Sequence, residues 1–239
     1  MNKKFIFAII SLLVIEFTFR NIFIQQRDIW IAIPRVLSSI MLAGWYYLSV
    51  KPFPSPIHKL FLTSLLLPIT ITLTFAIYPK YGDFMNIFIH TCVLAIWAYI
   101  FTQMGARIKL LDKKLNFLRL LPIYYILPIF FYTFSIHPSI PNNYVIFLLT
   151  HTLVYSTTGI LAIFLPIREE SRAWISWSIA LMVFANMLYS YDIFMEEIAW
   201  ANIISRIIIV ASRCMIVYGM IKYFTLEKEQ PARNLTINV

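Results

Sequence analysis

Glycine is scarce in this chain, at five of 239 residues, cysteine occurs twice, and only 13% of positions are charged. So few glycines leave little room for phosphate-cradling loops, and neither GxxxxGK[ST] nor GxGxxG occurs. HExxH and GxSxG are also missing, which removes the common zinc-hydrolase and serine-nucleophile signatures. Cys92 and Cys214 both fall inside apolar runs and read as small buried hydrophobes, not as a disulfide or half of a metal site. A soluble domain carries about 25% charged residues. The shortfall here excludes an ordinary soluble fold.

What fills the chain is hydrocarbon. Hydrophobic residues make up 60% of it, the mean hydropathy is +0.76, and several runs reach the roughly 20 residues that a helix needs to cross a bilayer. The runs are continuous and do not alternate, which excludes a transmembrane barrel. We therefore expect an all-α polytopic membrane protein. "MNKKFIFAIISLLVIEF" resembles a signal peptide, but Glu16 and Phe17 stand where small cleavage-site residues belong, so it is read as a first span.

Charge and proline punctuation divides the chain into eight spans, at 5–24, 30–50, 60–78, 84–104, 117–137, 143–166, 173–195 and 202–224. That makes residues 1–224 one eight-helix domain and 225–239 a flexible cytoplasmic tail. The amino end, the even-numbered loops and the tail hold thirteen Lys and Arg, and the odd-numbered loops hold three. This asymmetry places both termini in the cytoplasm. It also explains the net charge of +9 without a nucleic-acid partner. "ARIKLLDKKLNFLRLLP" alternates basic and apolar residues as a helix lying on the inner membrane surface does, or as a basic loop that anchors topology.

Ionisable residues inside spans are costly and tend to be paired or functional. Glu16 and Arg20 are spaced i, i+4 on one helix face, the geometry of a local ion pair. Arg35, His90, His151, Asp192 and Arg206 fall in the outer halves of their spans, and Arg213 is close to mid-span. Either they converge on a polar cavity, or they reach singly towards the headgroups. Asp192 is within plausible reach of Arg206, and that ion pair is the leading explanation for both. His90 and His151 are expected to bond neighbouring helices, and neither a metal nor a cofactor is expected.

Four stretches carry a resemblance: "LLVIEFTFR", "IPRVLSSIMLAGWYYL", "MVFANMLYSYDIFMEEI" and "ISRIIIVASRCMIVYGM". Together they resemble the YhhN family, the membrane proteins that include mammalian lysoplasmalogenase, over most of residues 5–224. The resemblance implies eight spans, cytoplasmic termini, and hydrolysis of the vinyl ether of a lysoplasmalogen. That chemistry uses a carboxylic acid to protonate the enol-ether carbon. The family's Gly-Asp and Ser-Asp positions are occupied here by Leu67-Pro68 and Ala185-Asn186, and Arg213 stands in place of a glutamine. The acids then expected are Asp192 and Glu16, with Asn186, Arg206, Arg213, Arg35, His90, Tyr99 and His151 contacting the substrate. The expected partners are membrane lipids, with a lysophospholipid-like amphiphile as ligand, and the expected location is a cell membrane, the inner membrane of a bacterium. The alternatives are a non-catalytic lipid-binding or partner-binding protein, and a small transporter.

Overall fold

The computed structural model describes residues 3–22, 27–50, 55–107, 121–198 and 200–228. Every regular element among them is helical. In chain order they are α1 (Lys3–Ile22), α2 (Arg27–Val50), α3 (Pro56–Leu66), α4 (Pro68–Ile77), α5 (Gly82–Gln103), α6 (Leu121–Phe131), α7 (Asn142–Ile163), α8 (Glu169–Phe194) and α9 (Ala201–Lys228). Seven stretches are long and apolar enough to cross a membrane, with α3 and α4 counting together as one. The basic stretch at 108–120 and the start of the expected fifth span lie outside the described residues.

Where the elements depart from the expected spans, local chemistry gives the reason. Pro68 has no N–H to continue the ladder, so the third span breaks into α3 and α4. Leu67 nevertheless keeps helical angles and donates its N–H to the Thr63 carbonyl, so the break is a hinge and not a turn. Pro128 lies inside α6, which runs on to Phe131, and the chain then continues as a π-helical turn, Tyr132–Ile136. The "REESR" connector is helical from its second residue: Glu169 and Glu170 occupy the first turn of α8, where the positive end of the helix dipole favours acids. The expected tail at 225–239 begins too early, because α9 continues to Lys228.

The bundle is unequal along its length. At one end Trp45 and Tyr46 of α2, Phe61 of α3, and Trp97 and Phe101 of α5 are fully buried. Trp97 donates its indole N–H to Ser64 Oγ at 2.8 Å, and Tyr46 OH meets His58 Nδ1 at 2.6 Å. Val217 and Met220 of α9 complete this packed end. α8 and α9 approach closely there, because a Cβ on Gly219 would stand 3.1 Å from the Ser171 carbonyl oxygen. α6 docks through Tyr124, whose ring lies against Gly159 and whose hydroxyl donates to the Ser176 carbonyl. Further along, Tyr132 OH donates to the Val145 carbonyl at 3.0 Å, so α6 and its π turn run antiparallel beside α7. Outward-facing Phe7, Ile10, Val14, Leu48, Phe134 and Ile146 remain exposed, the surface that a bundle presents to lipid.

Candidate anion-binding cavity

The opposite end of the bundle holds the polar side chains. Glu16 of α1 is 2% exposed, and its carboxylate accepts from two guanidiniums on other helices. Arg35 Nε of α2 stands 2.7 Å from Oε1, and Arg206 Nε of α9 stands 3.0 Å from Oε2 and 3.1 Å from Oε1. The expected intrahelical pairing of Glu16 with Arg20 is thus replaced by a three-helix cluster. Both arginines use Nε for Glu16, and their terminal Nη groups make no hydrogen bond with any described residue.

These arginines border a partly open cavity of about 250 Å³. α1 contributes Arg20, and α2 contributes Arg35 and Ser39. α4 supplies Ile71, Thr72 and Phe75 and opens on Pro68, so the broken helix forms one wall. α5 gives Asn86 and His90, one turn apart, and α8 gives Asn186 and Tyr189. α9 lines the longest side with Asn202, Ser205, Arg206, Ile209 and Arg213, spaced three and four residues apart on one helix face. The order of the helices, with Glu16 late in α1, Arg35 early in α2 and His90 early in α5, places all of this at one end.

Arg213 is 7% exposed and makes no hydrogen bond or ion pair with any described residue. His90 Nδ1 and Ser205 Oγ, both buried in the same walls, also have no hydrogen-bond partner among the described residues. A buried cation without a counter-charge is strongly unfavourable unless something else supplies one. Around the rim, Tyr189 OH donates to Asp83 Oδ1 at 3.1 Å and also meets the Asn86 side chain.

The remaining expected site residues lie elsewhere. Asp192 does not pair with Arg206. Its Oδ1 accepts from the Ile198 backbone N–H at 2.8 Å and its Oδ2 from Asn202 Nδ2 at 3.0 Å, so it braces the turn between α8 and α9. That turn carries Trp200 at φ 72°, a left-handed conformation costly for a large side chain. Tyr99 is exposed on the outside of α5, beyond reach of the cavity. His151 stands behind the cavity wall, with Thr91 Oγ1 2.8 Å from its Nδ1 and Tyr155 edge-on to its ring.

Asn186 joins this second layer to the cavity by donating through Nδ2 to Tyr155 OH at 2.5 Å. It also lines a smaller crevice of about 40 Å³, walled by Phe131, Leu148, Val183 and Met187 among others. A polar cavity and an apolar crevice therefore meet at one side chain. Among the described residues no three His, Cys, Asp or Glu side chains converge as metal ligands would. The residues that sequence reading passed over, Asn86, Asn202 and Ser205, share helix faces with His90, Arg206 and Arg213 at i+4 and i+8 spacings. That periodicity was the available signal.

Compared with known proteins, the chain matches no family model, no curated protein and no solved structure.

Proposed function

We propose that this chain is a YhhN-like, eight-span protein of the cell membrane that binds, without hydrolysing, an amphiphile with an anionic head, of the lysophospholipid kind. The observation that carries the reading is Arg213, a buried guanidinium facing the cavity with no protein counter-charge among the described residues. Arginine suits this task because its planar fork holds phosphate or carboxylate oxygens two at a time. Arg35 and Arg206, oriented through Nε by Glu16, offer further N–H donors from their Nη groups. The crevice beside Asn186 offers apolar walls to the first carbons of the ligand's chain.

Two features favour binding over vinyl-ether hydrolysis. Glu16 accepts from guanidiniums through both oxygens, which makes it an anchor for those arginines. Asp192 is committed to the α8–α9 turn and does not line the cavity. An acid able to reach an enol-ether carbon is needed for that reaction, and neither side chain stands ready for it. The antiparallel run of α6 beside α7 supports an eighth crossing, and the positive-inside count supports cytoplasmic termini with the cavity in the outer leaflet.

Purified protein in nanodiscs, extracted and analysed by mass spectrometry, should yield a stoichiometric anionic amphiphile that Arg213→Gln loses. Aldehyde release from a lysoplasmalogen should stay at the empty-vector level. Release that disappears in Glu16→Gln would restore the hydrolase reading.

A further inference from the structure

The charge of the cavity specifies more than an anion. We propose that its floor, formed by Arg213, Ser205 and His90 beside Arg206, is a subsite for a phosphate monoester, and that it discriminates against zwitterionic phosphodiester heads. The proposal rests on the reading of the cavity as an amphiphile site and names the head that fits it.

Arg20 also lines the cavity and has a contact of its own; the other three guanidiniums, Arg35, Arg206 and Arg213, share one carboxylate among the described residues, Glu16, an excess of two positive charges. A phosphate monoester carries about −1.5 to −2 at neutral pH and three acceptor oxygens, which matches that excess. A carboxylate amphiphile brings one negative charge and leaves one cation unmet.

A choline or ethanolamine phosphodiester brings one negative and one positive charge and corrects nothing. Its ammonium finds no free acidic partner among the described residues of the lining. The Glu16 oxygens are occupied by arginines, and Asp83 does not line the cavity and is bonded by Tyr189. Phe75 and Tyr189 are the aromatic rings in the lining, whereas ammonium cages surround the cation with several. In the low-dielectric interior these charge mismatches weigh far more than they do in water.

The polar groups agree with the charge count. Ser205 is 2% exposed and His90 is 5% exposed; both residues line the cavity, and Ser205 Oγ and His90 Nδ1 are buried with no hydrogen-bond partner among the described residues. A buried hydroxyl or imidazole left without a partner costs free energy comparable to a lost hydrogen bond. Three phosphate oxygens offer acceptors for the Arg213 guanidinium and, once those side chains turn toward the cavity, for the Ser205 hydroxyl and a His90 ring N–H.

The test uses the full chain in nanodiscs of neutral lipid, titrated calorimetrically with acyl lysophosphatidate, the matching lysophosphatidylcholine, the free fatty acid, and inorganic phosphate. Lysophosphatidate should bind tighter than lysophosphatidylcholine by about tenfold or more. Arg213→Gln should abolish that preference, and Arg213→Lys, which keeps the charge but not the fork, should retain part of it. Equal affinity for the two lysolipids overturns the monoester subsite and leaves the amphiphile reading standing. If no lysolipid or fatty acid binds but inorganic phosphate does, the subsite is supported as one for a soluble phosphate ester, and the amphiphile reading falls. Absence of binding by all four overturns both.

Discussion

Arg206 of α9 holds Glu16 of α1 through Nε, at 3.0 and 3.1 Å from the two carboxylate oxygens, across 190 residues of sequence. Arg35 of α2 takes the same carboxylate at 2.7 Å, so one acid ties three helices together. Ile9 and Glu16 are the buried residues of α1, and the rest of its hold on the bundle comes from half-buried Phe5, Ile6 and Leu13 and from Phe19 against Trp30.

Removing the acid should therefore cost more than an ordinary surface ion pair. Glu16→Gln leaves Arg35 and Arg206 without a counter-charge beside Arg213, and stability should fall by about 3 kcal/mol, somewhat less than a fully dry pair because Arg35 is partly exposed. Thermal unfolding in nanodiscs would show it. Adding Arg35→Gln to the same chain should recover part of the loss, and an unchanged melting temperature in the single variant would show that the cluster does not hold α1.

Arg213 should behave in the opposite sense. Arg213→Met removes a buried cation that no described residue neutralises, and the ligand-free protein should gain about 1 kcal/mol or more. Amphiphile binding should disappear at the same time. A variant that loses both stability and binding would mean that Arg213 serves packing first.

Asp192→Ala separates the turn from the cavity. The loss of the bonds to Ile198 and Asn202 should lower stability by about 1 kcal/mol, because both bonds are near solvent. Ligand affinity should change by less than about threefold, because Asp192 does not line the cavity and is bonded to its lining through Asn202. A large loss of affinity with stability intact would bring Asp192 back to the site.

Gly159→Ala tests how α6 is seated. Its new Cβ would collide with the Tyr124 ring, whose hydroxyl reaches the Ser176 carbonyl, so the variant should be destabilised by about 1–3 kcal/mol. A neutral outcome in thermal unfolding would mean that Tyr124 has room to move and that α6 is loosely held.

The eight-span topology is open to a labelling experiment. With Cys92 and Cys214 replaced by alanine, single cysteines at Lys80 and Ser139 should react with an impermeant reagent from outside the cell. Cysteines at Lys59 and Arg168 should react only after permeabilisation. Reaction of the Ser139 and Arg168 positions from the same side would contradict a crossing by α7 and with it the whole scheme.

The sequence by itself determined whatever is local. Continuous apolar runs were enough for an all-helical bundle with membrane-spanning lengths, because a helix satisfies its own backbone groups wherever it lies. The 3.6-residue period is enough to place Asn202, Arg206 and Arg213 on one face of α9, although Asn202 was passed over in the sequence. Pro68 announced an interruption through its missing N–H group, although the third span reads across it as unbroken, whereas Pro128 left α6 intact.

Only the tertiary structure decided which faces meet. From the sequence, Arg20 was the natural partner of Glu16 and Arg206 that of Asp192, since intrahelical and adjacent-helix spacing is all that a linear pattern reveals. The packed bundle gave Glu16 to Arg35 and Arg206, left Asp192 to a turn, and set Arg213, His90 and Ser205 around one cavity. The physical reason lies in the apolar residues themselves. In lipid the outward and inward faces of a helix are equally hydrophobic, so burial leaves no mark on the sequence, and rotation is settled by packing and by the few polar groups that find each other.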